Sequence, residues 1–155
     1  MAKPAAPAQE RPSLTLRRHY PVAAEKVWRA WTDPQALKAW FGPEEIVSVP
    51  LAEVDLRVGG RFRVTMLAAD GETHDVSGVY QELVPNRKLV FSWAWRSTPE
   101  RESRVTVRIE PDVNGCELVL MHEQFFDEAA REGHAHGWTG AVAKLGQWLV
   151  PPDDA

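Results

Sequence analysis

Two histidines stand two residues apart near the end of the chain, in HAHGWTGAVAKLGQWL (134–149). A third, His122, sits late in an apolar run, LVLMHEQF (118–125). Imidazole titrates near neutrality, so each could carry a proton, hold a metal or donate to a ligand. The metal reading fails on spacing. On a helix, His134 and His136 point in nearly opposite directions, and no cluster of Cys, His and Asp at ligand spacing appears elsewhere. No metal or cofactor is expected. His122 reads two ways: a core histidine with its nitrogens hydrogen-bonded, or a ligand-facing donor or general acid/base. Strand alternation sends the neighbouring Glu123 to the opposite face, so the two make no catalytic pair. Cys116 is the single cysteine. It has no readable base beside it, which argues against a nucleophile.

The elements that must position these groups are legible from periodicity. LTLRRHY (14–20) alternates and predicts a strand. PVAAEKVWRAW (21–31) predicts a helix opening on Pro, with Val27 and Trp31 on one face. Asp33-Pro34 predicts a capped second short helix burying Leu37 and Trp40, ended by Gly42-Pro43. Strands are expected at 45–54, 61–67, 74–84, 88–95, 104–110 and 116–125. Asn114-Gly115 is expected at the centre of a hairpin turn with positive φ at both residues. Asp127 caps a last helix over about 128–149. The order is strand, two helices, about six strands and one long helix: an antiparallel α+β arrangement.

On that last helix, at about 100° per residue from Trp138, Val142 falls near +40°, Leu145 near −20° and Leu149 near +20°. His134 joins this inner stripe near −40°, whereas His136 lies near 160° with Gly140 and Gln147 on the solvent side. Each interior glycine costs a helix about 1 kcal/mol against alanine, so Gly137, Gly140 and Gly146 must be compensated by tertiary contacts. Gly137 borders the inner stripe and would admit a large neighbour. For Gly140 the sequence supplies no reason.

Composition bounds the function. The chain has 155 residues and a net charge of −4, which argues against a nucleic-acid partner. No apolar run reaches the roughly 20 residues of a membrane span, and the N-terminus lacks a secretory signal, so the expected location is cytoplasmic. Residues 1–13 and 150–155 are expected to be flexible tails around a single domain over 14–149. No phosphate loop, dinucleotide fingerprint or triad signature is present. Val119 and Met121 fall on the outward face of their strand, an apolar patch that a second copy could cover in a homodimer.

Five stretches in order, YPVAAEKVWRAWTDPQALKAWFGP (20–43), VGGRFRV (58–64), GVYQELVPNRKLVFSW (78–93), LVLMHEQF (118–125) and GHAHGWTGAVAKLGQWL (133–149), carry a resemblance. The chain resembles the family of activators of heat-shock protein 90 ATPase, within the superfamily of START lipid-transfer domains and the birch-pollen allergen. The resemblance implies a helix-grip fold, a curved antiparallel sheet wrapped around the C-terminal helix, with a cavity for a hydrophobic small molecule. Pocket walls then come from Phe62, Val64 and Met66, from Trp93 and Trp95, and from Leu118, Leu120 and His122. Trp138, Val142 and His134 belong to the helix, Trp40 and Phe41 to the mouth, and Tyr80 is a further polar contact. A bulge would swap strand faces. Some relatives are cyclases or hydrolases, for which His122 or His134 would be the proton carrier. As a third reading the resemblance implies a module that interacts with a chaperone ATPase, although the namesakes with that role are larger proteins with an additional N-terminal domain.

Seven tryptophans (28, 31, 40, 93, 95, 138, 148) set the open question. They fill the core, or Trp93, Trp95 and Trp138 converge on a cavity. An empty apolar void of ~300 Å³ would cost on the order of 7 kcal/mol, comparable with total domain stability. A space of that size must therefore be occupied, wet, or filled by the rings.

Overall fold

A computed structural model describes residues 11–150. Seven strands, β1 (Leu14–Tyr20), β2 (Ile46–Val54), β3 (Arg61–Ala68), β4 (Thr73–Val84), β5 (Lys88–Trp95), β6 (Ser103–Asp112) and β7 (Gly115–Glu123), pair antiparallel in the order β1-β7-β6-β5-β4-β3-β2. Helices α1 (Ala24–Thr32) and α2 (Pro34–Trp40) follow β1, and α3 (Glu128–Leu149) closes the chain. The sheet curls around α3, the α+β helix-grip arrangement expected. No described helix is long and apolar enough to cross a membrane.

Alternation does what it should. Phe62, Val64 and Met66 of β3, Leu118, Leu120 and His122 of β7, and Val105, Val107 and Ile109 of β6 are all buried. They meet Trp138, Val142, Leu145 and Leu149 of α3 in one cluster, and His122 is a fully buried polar group against its aromatic rings. The Asp33 carboxylate accepts the Gln35 N–H at 2.9 Å, and that of Asp127 accepts the Ala130 N–H at 2.9 Å, so both expected caps form. A bulge does interrupt β4, between Tyr80 and Glu82. It lies beyond Tyr80, which therefore stays inward, opposite Phe91.

Four local expectations change. α1 begins at Ala24, not at Pro21, because Pro21 and Val22 bend past the β6–β7 hairpin and Ala23 is extended. A Cβ on Gly115 would lie 2.2 Å from the Tyr20 carbonyl oxygen and 2.8 Å from Pro21 Cα. The hairpin turn centres on Val113-Asn114, with Gly115 alone in the positive-φ region at 138° and opposite Asp112. The Asp112 carboxylate holds it by accepting the Asn114 N–H at 2.9 Å. β7 stops at Glu123 rather than 125, because Gln124 turns left-handed at φ 67°. The outward patch is also smaller than expected. Val119 is buried, flanked in register by Arg17 and Arg108 whose stems can cover it, while Met121 stays half-buried.

Of the expected tails, residues 1–10 and 151–155 lie outside the described residues. Within the described part, the Pro12 carbonyl accepts the Phe125 N–H at 3.2 Å.

Candidate functional site

The two ends of the grip differ. Beneath the sheet centre, side chains pack around a small void of about 20 Å³ bordered by Phe62, Val64, Tyr80 and Leu89. Toward the N-terminal half of α3 a half-open cleft of about 390 Å³ remains. Phe41 and the loop after α2 form one wall, Met66 and Ala68 of β3 a second, and Trp93 and Trp95 of β5 a third. Ala130, Gly133, His134, Gly137, Trp138 and Ala141 form the helix wall.

Of the residues expected to face the cavity, Phe41, Met66, Trp93, Trp95, His134 and Trp138 line this cleft. Phe62, Val64 and Tyr80 border the small void instead, and burial pushes the Tyr80 phenol far up. Leu118, Leu120 and Val142 are packed in the core. Trp40, expected at the mouth, is buried, and its indole N–H donates to the Ala30 carbonyl at 2.9 Å. His122 is completely buried behind the cleft wall.

The rings form a continuous aromatic surface. Trp93 lies 5.1 Å from Trp138 and 5.5 Å from Trp95, and Phe41 lies about 6 Å from both Trp93 and Trp138, at distances typical of favourable edge and tilted contacts.

The histidines orient those rings. Indole N–H groups can only donate, so the acceptors they meet fix the tautomers. Trp138 donates to His122 Nδ1 at 2.9 Å, and His122 therefore donates from Nε2 to the Ser103 hydroxyl at 2.7 Å. Ser103 passes its own proton to the Trp93 carbonyl at 3.3 Å. Trp95 donates to His134 Nε2 at 3.0 Å, and His134 donates from Nδ1 to the Ala130 carbonyl at 2.7 Å. Burial holds His122 well below its usual range, with the neighbouring His134 pushing the same way. Burial also lowers His134, against an opposing contribution from its bond to Ala130. Both imidazoles are neutral at pH 7, and both basic lone pairs are occupied by indole donors. Neither nitrogen pair is free to exchange a proton with a substrate.

Two groups escaped the sequence reading. Phe125 was not singled out; it follows the left-handed Gln124, is buried, and stacks 4.2 Å from His122 and 4.9 Å from His134. No sequence signal marks a glutamine at positive φ. Ser103, the relay beneath His122, was visible only as the residue before an alternating run.

The α3 glycines divide by role. A Cβ on Gly137 would meet nothing within 4 Å, and the same holds for Gly133. Gly137 thus admits no neighbour, contrary to expectation; it widens the cleft. Gly140 does not face solvent. A Cβ there would lie 3.2 Å from the Glu44 nitrogen and 3.3 Å from Pro43 Cα, so the glycine lets the loop after α2 seat on the helix. The same stripe, four residues away on either side, ties that loop down. His136 Nε2 meets Glu45 Oε1 at 2.8 Å, and Lys144 Nζ donates to the Pro43 carbonyl at 3.1 Å. Gly146 accommodates the Tyr20 ring, whose hydroxyl donates to the Val142 carbonyl at 2.8 Å.

No group of three potential metal ligands occurs among the described residues.

Comparison with known proteins gives one consistent answer. The family profile described as Activator of Hsp90 ATPase homolog 1-like protein matches residues 21–149. The human protein Activator of 90 kDa heat shock protein ATPase homolog 1 is 26% identical over 125 residues, 81% of this chain. The chain spans about a third of that relative's length, 33%. A crystal structure of a protein from Chromobacterium violaceum superposes with a TM-score of 0.81 at 30% identity, covering 91% of this chain and 98% of that one. The AHSA1 protein from Silicibacter pomeroyi gives 0.79 at 30% identity, covering 89% and 97%. With the profile spanning most of its length and the helix-grip architecture in place, the chain belongs to the family of Activator of Hsp90 ATPase homolog 1-like proteins.

Proposed function

We propose that this protein binds a flat, mainly apolar small molecule in the cleft between the N-terminal half of α3 and the ends of β3–β5. The observation that carries the reading is the cleft's size and lining: about 390 Å³ walled by Phe41, Trp93, Trp95 and Trp138. That volume lies in the range of small-molecule sites, which are concave and mostly apolar. Glycines at 133 and 137 support it, because alanine there would favour the helix and its Cβ would meet no steric obstacle. The histidines serve as positioning residues that hold Trp138 and Trp95 at their angles. Acid/base catalysis through them has no free lone pair to use. A cytoplasmic setting is part of the proposal, consistent with a single buried, unbridged Cys116.

The test is tryptophan emission during titration with a fused-ring alcohol such as anthracenylmethanol. Saturable quenching is expected, and Gly137→Leu, which plugs the cleft without disturbing packed atoms, should abolish it. Equal binding by the plugged variant removes the site.

A second reading follows from the human relative's name: action on the ATPase of a 90 kDa heat shock protein. Stimulation of a purified chaperone ATPase by this chain at micromolar concentration is its test, and no stimulation counts against it.

A further inference from the structure

The charge of the ligand can be narrowed from the distribution of polar groups around the cleft; this step rests on the ligand-binding reading above. No lysine or arginine lines the cleft, and its single carboxylate is Glu45, on the loop after α2. Deep in the cleft, the polar atoms of Trp95, Trp138 and His134 are hydrogen-bonded to one another or to His122 and the Ala130 carbonyl. An anionic group would find no countercharge there; the buried indole N–H of Trp93, which has no hydrogen-bond partner, can serve one acceptor atom but does not neutralise a charge. At the rim, Glu45 is exposed, and a cation beside it would also stand close to aromatic faces that attract positive charge.

We propose that the cleft selects a planar aromatic ring bearing an amine or other cationic group, the ring against Trp93 and Trp138 and the cation at the Glu45 carboxylate, in competition with His136.

The competition follows from geometry. His136 Nε2 sits 2.8 Å from Glu45 Oε1, both side chains open to solvent, so a ligand cation can displace the imidazole without breaking the core. The remaining charged and titratable groups around the carboxylate are few. Lys144, on α3, donates to the Pro43 carbonyl, Glu44 adjoins Glu45 on the loop, and His74 of β4 lines the same cleft. Around His136, Glu44 adds a second negative charge beside Glu45. Its bond to Glu45 raises the His136 imidazole above its usual range, and the same bond lowers the Glu45 carboxyl. The sign is then fixed. Below the His136 pKa the imidazolium neutralises Glu45; above it the ionised carboxylate faces a neutral imidazole, a weaker competitor for a ligand cation. Affinity for a cationic aromatic must therefore rise with pH through the His136 titration, as long as the ligand amine stays protonated.

A matched trio tests this: one anthracene ring bearing aminomethyl, hydroxymethyl or carboxylate, titrated against the full chain by tryptophan quenching. At about pH 8.5 the amine should bind ~3–5-fold tighter than the alcohol, and the carboxylate more weakly than the alcohol, the scale of an exposed ion pair. At about pH 6 the amine's advantage should shrink as His136 becomes charged. Glu45→Gln should erase the amine-to-alcohol ratio at both pH values, and His136→Gln should restore it in acid. Both positions are exposed, so folding is not at stake. A carboxylate that binds as well as the amine, or an amine preference that survives Glu45→Gln, overturns the inference while leaving the cleft as a binding site. If the alcohol itself fails to bind, the site reading falls, and this inference falls with it.

Discussion

The two halves of α3 meet the same sheet with opposite results. From Val142 to Leu149 the helix presents branched side chains, and Leu145 and Leu149 lie sealed against the sheet with Tyr20 hydrogen-bonded to the helix backbone. From Ala130 to Ala141 it presents alanine, glycine, one histidine and one tryptophan, and a cleft of about 390 Å³ stands open. The sheet curvature is shared; side-chain volume on the helix differs. Close packing is concentrated in one half and open space in the other. The cost of an empty void is avoided because the space opens to solvent rather than lying enclosed.

The division can be broken by substitutions that should affect one half alone. His122 is the largest expected effect, since it links the two. His122→Ala leaves a ring-sized hole, strands the Trp138 N–H, and should cost about 4 kcal/mol in denaturant unfolding. Leu145→Ala, in the sealed half, should cost about 3 kcal/mol and leave ring-ligand affinity unchanged. A loss of affinity with Leu145→Ala would mean the halves are coupled.

The open half has its own signature. Gly137→Leu should remove ligand quenching by at least ~10-fold while raising helix stability by about 0.5–1 kcal/mol. A destabilised variant would show that the position is packed rather than open. The pH dependence is smaller and progressive. His122 and His134 are neutral in the fold with lowered pKa values, so the unfolded state binds more protons once pH falls below about 6.5. Their contribution is full above that pH and is lost on acidification, at up to about 1.4 kcal/mol per proton per pH unit. Denaturant midpoints measured across that range should fall, and His134→Gln should flatten the slope.

Much of the frame was legible beforehand. Period-two alternation assigned the inward faces of β3, β6 and β7, and the caps at Asp33 and Asp127 marked helix starts, because both signals depend on neighbours within a few residues. The candidate site was half legible. Trp93, Trp95, His134 and Trp138 could be assigned by face and Phe41 only through the family resemblance, but the cleft boundary could not. Whether Leu118 or Val142 borders space or packs depends on what stands across from it. Phe125 went unnoticed because the left-handed glutamine before it takes it out of the strand alternation. Gly140 gained its reason only from Pro43 and Glu44, roughly a hundred residues away in sequence. The loop's ties to His136 and Lys144 were hidden for the same cause.

By itself, the sequence determined the elements, their order and their buried faces, since short-range periodicity and capping chemistry are written in consecutive residues. Only the tertiary structure decided which tryptophans wall a cleft, which histidine lone pairs are already occupied, and where the grip stays open. Those outcomes depend on side-chain volumes and hydrogen-bond partners that meet across the sheet–helix interface, and no local pattern encodes the sum of the two sides.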